Sequence, residues 1–191
     1  MARIENYFPK VIVYAGGYVN DPTDRGGATK YDVTLETWRN MGHDKDGDGD
    51  IDANDIKLLT PDDAMMVMKV GYWDRWRADA IKNQSIAESL VEWVWGSGKW
   101  GVVIPQRVLG VSDDGRVGMQ TITAVNNSDP KDLHEKIRLA KLKFINDLVG
   151  KSIADYKFSH PQATEADLLK YTQKRFLKGW TRRINEFVFI A

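Results

Sequence analysis

The spacing of apolar residues constrains the fold of this chain most strongly, because it follows a helical period almost throughout. Near the N-terminus one apolar stripe follows i, i+4, i+7, i+8 and i+11 spacing and consists of Ile4, Phe8, Val11, Ile12 and Ala15. Comparable patterns predict further helices over 35–41, 60–68, 78–96, 100–110, 118–126, 130–148 and 166–190. Thr34 and Thr60 are typical N-cap residues, and Pro61 suits a first helical position. The segments 16–33 and 150–165 are predicted to be loops, the first with short strands, so the fold class is all-α.

Composition limits what such a fold can do. The chain has 191 residues and no cysteine, so disulfides and thiolate chemistry are excluded. Lysine plus arginine and aspartate plus glutamate each number 27, and this balance argues against a general nucleic-acid binder. We expect a monomer in which the hydrophobic core supplies most of the stability.

The sequence also bears on location. No apolar run approaches the ~18 residues of a membrane span, and the first residues lack the apolar stretch of a signal peptide. We therefore expect a cytoplasmic protein, or one released to the cell wall by another route, as phage lysis proteins are.

The segment from Asp44 to Asp55 matches the twelve-residue EF-hand calcium loop. Gly49 holds the sixth position, where the backbone must turn sharply. The expected oxygen ligands at positions 1, 3, 5, 7, 9 and 12 are Asp44, Asp46, Asp48, Asp50, Asp52 and Asp55. Among them, Asp50 would offer its backbone carbonyl, and Asp52 would bind directly or through water. The twelfth residue is usually glutamate, so this loop departs from the pattern at one ligand. The sequence predicts a structural Ca²⁺ site, and a solvated acidic loop without an ion is the alternative.

A second motif spans residues 14–34 and resembles the N-terminal motif of the glycoside hydrolase 108 family of bacterial and phage N-acetylmuramidases. That motif runs roughly E-G-G-[YF]-x-N-x-x-x-D-x-G-G-x-T-x-x-G-[IV]-T. The matching residues are Gly16, Gly17, Tyr18, Asn20, Asp24, Gly26, Gly27, Thr29, Val33 and Thr34. The resemblance implies a lysozyme-like helical domain with the calcium loop inserted between its early helices.

Weaker likenesses continue downstream. They comprise Tyr72-Trp73-Asp74, Gln106 with 114–118 and Thr121, and 176–180 with Arg183. The resemblance implies a hydrolase part at 1–100 and a predicted peptidoglycan-binding part at 101–191, packed into the same globule. Among the seven tryptophans, Trp93, Trp95 and Trp100 either pack in the core or line a sugar groove.

The resemblance also assigns site residues. The family's glutamate, the expected general acid, is replaced here by Ala15, and a usual glycine is replaced by Asp32. Asp24 would stabilise the developing oxocarbenium ion or orient water, and Thr29 would help hold that water. Substrate contacts are expected from Gly17, Tyr18, Asn20 and Tyr31.

The implied activity is hydrolysis of the β-1,4 bond between N-acetylmuramic acid and N-acetylglucosamine in peptidoglycan glycan strands. Without the acid, we expect this chain to bind glycan and to cut it slowly or not at all. Either a deliberate Glu→Ala change or a natural pseudoenzyme explains the alanine. The alternative functions are a non-catalytic peptidoglycan-binding module and a calcium-dependent interaction module.

Overall fold

A computed structural model describes residues 1–13, 15–20 and 27–191 of the chain. The chain divides into two compact units, residues 1–82 and 83–191. The described part is mostly helical, with ten α-helices and a single two-stranded antiparallel sheet. This confirms the predicted helical character and the short strands expected near residue 30.

The N-terminal unit contains four α-helices and the hairpin. Its elements are α1 (Ile4–Ile12), β1 (Thr29–Lys30), β2 (Val33–Thr34), α2 (Leu35–Met41), α3 (Ala53–Leu58) and α4 (Pro61–Met68), followed by a π-helical turn at Lys69–Trp73 and a 3₁₀ turn at Ala78–Ala80. Tyr7, Trp38, Trp73 and Trp76 are fully buried and form much of its core. The three tryptophans of this unit therefore pack in its core.

Two helix starts in this unit follow the predicted capping. The Thr34 hydroxyl accepts a hydrogen bond from the Thr37 backbone N–H at 3.1 Å. Thr60 caps α4 in the same way, and the Asp63 carboxylate returns a bond to the Thr60 backbone N–H at 2.7 Å. Both caps satisfy N–H groups that the helix itself leaves without partners, and the Thr60 cap is reciprocal, so the start of each helix is fixed locally.

The C-terminal unit contains the other six helices. They are α5 (Gln84–Ser97), α6 (Trp100–Leu109), α7 (Met119–Asn127), α8 (Pro130–Ser159), α9 (Glu165–Tyr171) and α10 (Lys174–Glu186). Helix α5 is buried from Ser85 to Val94 and packs against α6 and α8. Gly101 permits the α5–α6 contact, because a Cβ there would lie 2.3 Å from the Val94 backbone nitrogen.

Three predicted boundaries in this unit are wrong. Helix α5 begins at Gln84 rather than 78, because Asn83 caps it by accepting from the Ile86 N–H at 3.1 Å. Helix α8 continues to Ser159, through part of the segment predicted as a loop. The predicted helix over 166–190 is interrupted at Thr172, whose backbone is extended. There the Gln173 N–H donates to the Ser152 hydroxyl at 3.0 Å instead of continuing the helical ladder.

Helix α8 is long enough to cross a membrane, but its composition does not suit a membrane span. Helix α8 has 30 residues but carries many charges, and no helix in the described residues is apolar enough over sufficient length to cross a bilayer.

Candidate functional site

Ala15 lies just beyond the C-terminal end of α1. The regular helix stops at Ile12, yet the Ala15 N–H still donates to the Val11 carbonyl at 3.0 Å. Ala15 is only 7% exposed, whereas Gly16 and Gly17, which follow it, are exposed. Gly16 has a φ of +67°, so the chain turns away from the helix axis at a residue type that adopts this conformation without strain. Position 15 is thus a buried point beside an open glycine pair.

Thr29 is positioned by backbone pairing. Val19 and Thr29 form an antiparallel bridge in which each N–H donates to the other residue's carbonyl at 2.8 Å. The Thr29 hydroxyl donates to the Gly27 carbonyl at 3.2 Å. The bridge places Tyr18 and Asn20, both predicted to contact substrate, on the segment that runs beside β1. Tyr18 is half-buried with the Lys57 ammonium 5.7 Å from its ring centre, and Asn20 is exposed.

The hairpin turn explains one departure from the family motif. Lys30 pairs with Val33, which leaves Tyr31 and Asp32 as the two loop residues. Their φ values are +54° and +59°, the pattern of a type I′ turn. Asp32 therefore adopts the left-handed conformation, which aspartate tolerates better than most residues. Tyr31 is half-buried next to Lys30, whose ammonium lies 5.3 Å from the Tyr31 ring centre.

Asp24 lies outside the described residues, as do Asp21 and the rest of 21–26. The predicted site residues that the structure does describe are Ala15, Gly17, Tyr18, Asn20, Thr29 and Tyr31. Of these, the structure joins the Tyr18–Asn20 segment to Thr29 through the bridge at Val19.

The acidic loop forms two groups of carboxylates. The oxygens of Asp44, Asp46 and Asp48 lie within 4.8 Å of one another, and those of Asp50, Asp52 and Asp55 form a second such group. Asp44 accepts from the N–H groups of Gly47 at 2.6 Å and Gly49 at 2.8 Å. Both glycines have positive φ, and Gly49 at +99° provides the sharp turn predicted at the sixth loop position.

Asp55 closes this loop and also caps a helix. Its Oδ1 accepts from the Lys45 N–H at 2.6 Å, and its Oδ2 accepts from the Asp52 N–H at 2.7 Å. Asp52 is the N-cap of α3, so the two aspartates form a capping box. The spacing Asp-x-x-Asp before an apolar residue is a recognisable signal of such a box, which the sequence analysis did not use.

The pKa values of the loop aspartates shift in opposite directions, according to which effect dominates at each carboxylate. Backbone hydrogen bonds from Gly49 and Gly47 hold the pKa of Asp44 below its ordinary value, and the Lys45 N–H does the same for the pKa of Asp55. Partial desolvation raises the pKa of Asp46, and the neighbouring charge of Asp48 raises the pKa of Asp50. An all-oxygen donor set with mutual repulsion fits a hard divalent cation. These residues can therefore hold a metal ion.

Gln106 and its partners form a structural cluster rather than a candidate site. Gln106 is completely buried, and its Nε2 donates to the Arg116 carbonyl at 2.9 Å. Its Oε1 accepts from the Gly115 N–H at 2.9 Å. The motif residues around 114–118 thus fix the loop between α6 and α7.

The C-terminal unit contains a pocket that the sequence analysis did not predict. Its volume is about 170 Å³, and its lining includes aromatic rings and a charged cluster. The Glu92 carboxylate accepts from the Lys141 ammonium at 2.6 Å and from Arg183 Nε at 3.1 Å. Trp93, one of the tryptophans considered for a sugar groove, lies in its wall. A glutamate within the apolar run Val91-Glu92-Trp93 is the sequence signal that was available.

Comparisons with known proteins agree with this description. The family model described as glycosyl hydrolase 108 matches residues 8–98, and the model described as predicted peptidoglycan domain matches residues 100–185. A search of curated proteins gave no match. Among the solved structures that match is Brucella abortus SagA, with 26% identity, a TM-score of 0.71, and coverage of 96% of this chain and 90% of that chain.

These matches define the class first: a glycoside hydrolase part followed by a peptidoglycan domain, in a peptidoglycan hydrolase family. More narrowly, the N-terminal part of the chain, residues 8–98, belongs to the glycoside hydrolase 108 family, as the motif at residues 14–34 predicted.

Proposed function

We propose that this chain is an N-acetylmuramidase-type protein for the β-1,4 bond between N-acetylmuramic acid and N-acetylglucosamine, disabled by the absence of its general acid at Ala15. The observation that carries the proposal is the environment of position 15. Ala15 is buried at the end of α1, and an added Cβ at Gly16 or Gly17 would meet no atom of the described residues within 4 Å. The position thus combines a desolvated Cβ with open space beside it.

This environment suits a catalytic acid. Glycoside hydrolysis requires a carboxylic acid that protonates the leaving oxygen. A carboxyl group that starts from a buried Cβ is partly desolvated, and desolvation raises its pKa so that it stays protonated near neutral pH. The alanine methyl has no proton to donate, so the chain retains the binding surface and lacks the acid.

Asp24 and Thr29 complete the proposed catalytic set. Asp24 would stabilise positive charge on the sugar or orient the attacking water, and Thr29 would help position that water. Thr29 sits in a hairpin fixed by the Val19 bridge, which supports a positioning role because its backbone is held on both sides. Gly17, Tyr18, Asn20 and Tyr31 would contact the glycan.

The acidic loop is proposed to bind a structural Ca²⁺ through Asp44, Asp46, Asp48, Asp50, Asp52 and Asp55. The ion would offset part of the repulsion among the six carboxylates and supply no catalytic chemistry. Its expected effect is to fix the loop that leads into α3, whose N-terminus Asp52 and Asp55 already cap.

The test is restoration of the acid, measured by clearing of a cell-wall suspension. Ala15→Glu should clear peptidoglycan at least ~10²-fold faster than the unchanged chain, since general acid catalysis commonly contributes ~10²–10⁴-fold. Ala15→Gln is the matched control, because it has the same size and cannot act as an acid. Equal clearing by Ala15→Glu and Ala15→Gln would contradict the assigned role.

The second candidate is a non-catalytic peptidoglycan-binding protein, favoured by the peptidoglycan domain match over residues 100–185. It predicts that the unchanged chain sediments with insoluble peptidoglycan and that Ala15→Glu sediments equally without clearing it. If neither form clears or sediments, both proposals fail.

A further inference from the structure

We infer that the pocket of the C-terminal unit binds a carboxylate carried on a small apolar group, such as the D-alanine end of a peptidoglycan peptide stem. The choice of cell-wall ligand rests on the proposed function, whereas the carboxylate itself is argued from the pocket. Its charged cluster is formed by Glu92 on α5, Lys141 on α8 and Arg183 on α10.

The cluster contains two cationic side chains and one carboxylate. Both oxygens of Glu92 are occupied, Oε2 by Lys141 and Oε1 by Arg183. Lys141 is 3% exposed and Glu92 is 8% exposed, so this ion pair is largely removed from water. Two cations face one carboxylate, so the cluster carries a net positive charge at the pocket, and this charge would attract an incoming anion.

Arg183 is the residue able to receive that anion. It uses Nε for Glu92, which leaves the N–H groups of both Nη atoms for a ligand. Its side chain is 42% exposed, whereas that of Lys141 is 4% exposed, so a ligand entering from solvent meets the guanidinium first. A guanidinium binds a planar carboxylate through two parallel hydrogen bonds, a geometry that an ammonium cannot match.

The remaining walls select an apolar group next to that carboxylate. Trp93, Phe144 and Trp180 contribute rings, and the Trp93 and Phe144 centres lie 6.4 Å apart in an edge-to-face arrangement. Such walls exclude water and strengthen the charged hydrogen bonds beside them. An alanyl methyl adjoining a free carboxylate has this combination of properties, as does the lactyl group of a muramic acid from which the stem has been removed.

If the Glu92, Lys141 and Arg183 cluster had a purely structural role, the pocket would bind no carboxylate. Binding measurements in solution therefore distinguish a structural role from a ligand site. The test titrates the full chain with three soluble probes and follows binding by calorimetry. The probes are a stem peptide ending in D-Ala-D-Ala with a free carboxylate, the same peptide as its C-terminal amide, and a GlcNAc-MurNAc disaccharide with a free lactyl carboxylate. We expect the free-acid peptide to bind and its amide to bind at least tenfold more weakly.

Two pairs of variants locate the site. Arg183→Gln should weaken binding about tenfold or more, the effect expected for loss of a charge-assisted hydrogen bond. Its control is Arg182→Gln, the same change at the neighbouring exposed position. Gly96→Leu should obstruct the pocket that Gly96 lines. Gly150→Leu is its control, because both glycines are helical and an added Cβ at either would meet no atom within 4 Å in the part of the chain that the structure describes.

The outcomes separate this inference from the proposed function, because binding is measured without hydrolysis. Binding of the disaccharide alone, with the same response to Arg183→Gln, would keep the carboxylate site and assign the lactyl source. Binding of no probe, equal binding of acid and amide, or equal losses in each variant and its control would overturn the inference. A chain that clears cell walls as Ala15→Glu and binds no probe would retain the proposed function and lose this site.

Discussion

At the scale of single residues, backbone conformation explains why certain side chains occupy their positions. Asp32 has a φ of +59° in a two-residue hairpin turn. Left-handed conformations are costly for L-residues, least so for glycine and then for asparagine and aspartate. The family's usual glycine and the aspartate found here are therefore two solutions to the same backbone requirement.

This requirement predicts the effect of substitution at position 32. Asp32→Gly should be more stable than Asp32→Ala by about 1 kcal/mol, because both changes remove the aspartate side chain but only glycine relaxes the left-handed backbone. Comparing the two variants with each other cancels any side-chain interaction that aspartate makes. Chemical denaturation measures the difference, and equal stability of the two variants would show that the turn is not left-handed in solution.

At the scale of elements, the acidic loop and α3 form one unit. Asp52 and Asp55 cap α3 while Asp44 organises the turn through Gly47 and Gly49. The same carboxylates that could bind a cation therefore also fix the start of the following helix. Binding of an ion should stabilise this element because it removes repulsion among the loop aspartates.

The expected outcome is a rise in melting temperature on adding Ca²⁺ and a fall on adding excess chelator. For a ligand that binds only the folded chain, stabilisation reaches about 2.7 kcal/mol at a hundred times its Kd. Asp48→Asn should reduce the rise, whereas Asp62→Asn, the same change in α4 outside the loop, should not. An unchanged melting temperature in chelator would remove the calcium site from the proposal.

At the scale of the whole molecule, the two compact units and the two family models divide the chain at different places. The units divide after Lys82, whereas the family models meet between residues 98 and 100. Helix α5 lies between these boundaries. It belongs to the C-terminal compact unit because its buried residues pack against α6 and α8. The domain boundary near residue 100 predicted from the sequence stays a proposal.

The Glu92 cluster joins α5, α8 and α10, and we expect it to make this unit sensitive to acid. Burial acts to raise the pKa of Glu92, but the charges and hydrogen bonds of Lys141 and Arg183 outweigh it and hold the pKa below its ordinary value of 4.5. Because the pKa of Glu92 is lower in the folded chain than in the unfolded chain, the ionised carboxylate stabilises the folded state. This contribution is fully present above pH 4.5 and is lost as the pH falls through the pKa that Glu92 has in the folded chain.

Glu92→Gln tests this linkage. The variant should be less stable at pH 7, because two cations lose their carboxylate, by about 3 kcal/mol or more. It should also lose less stability than the unchanged chain between pH 5 and about pH 3. Glu5→Gln, the same change at an exposed position on α1, is the control and should change the stability far less. The measurement is the unfolding free energy of the unchanged chain and of both variants between about pH 3 and pH 7. Parallel dependence of the three free energies on pH would contradict the assigned role of Glu92 in acid sensitivity.

Local sequence was sufficient wherever short-range contacts decide structure. The caps at Thr34 and Thr60, the glycine turn at Gly49 and the end of α1 near Gly16 were predictable, because each depends on residues within a few positions. The motif at 14–34 likewise identified the family, since its spacing reflects one hairpin and one helix end.

Only the tertiary structure decided what depends on distant residues. The interruption at Thr172 involves Ser152, twenty-one positions before Gln173, and the pocket joins Glu92 to Lys141 and Arg183, ninety-one positions apart at its extremes. Helical periodicity shows that each of these residues lies on a helix but not which helices pack together. Packing, set by the burial of whole apolar faces, therefore created the charged pocket that no local pattern of the sequence specifies.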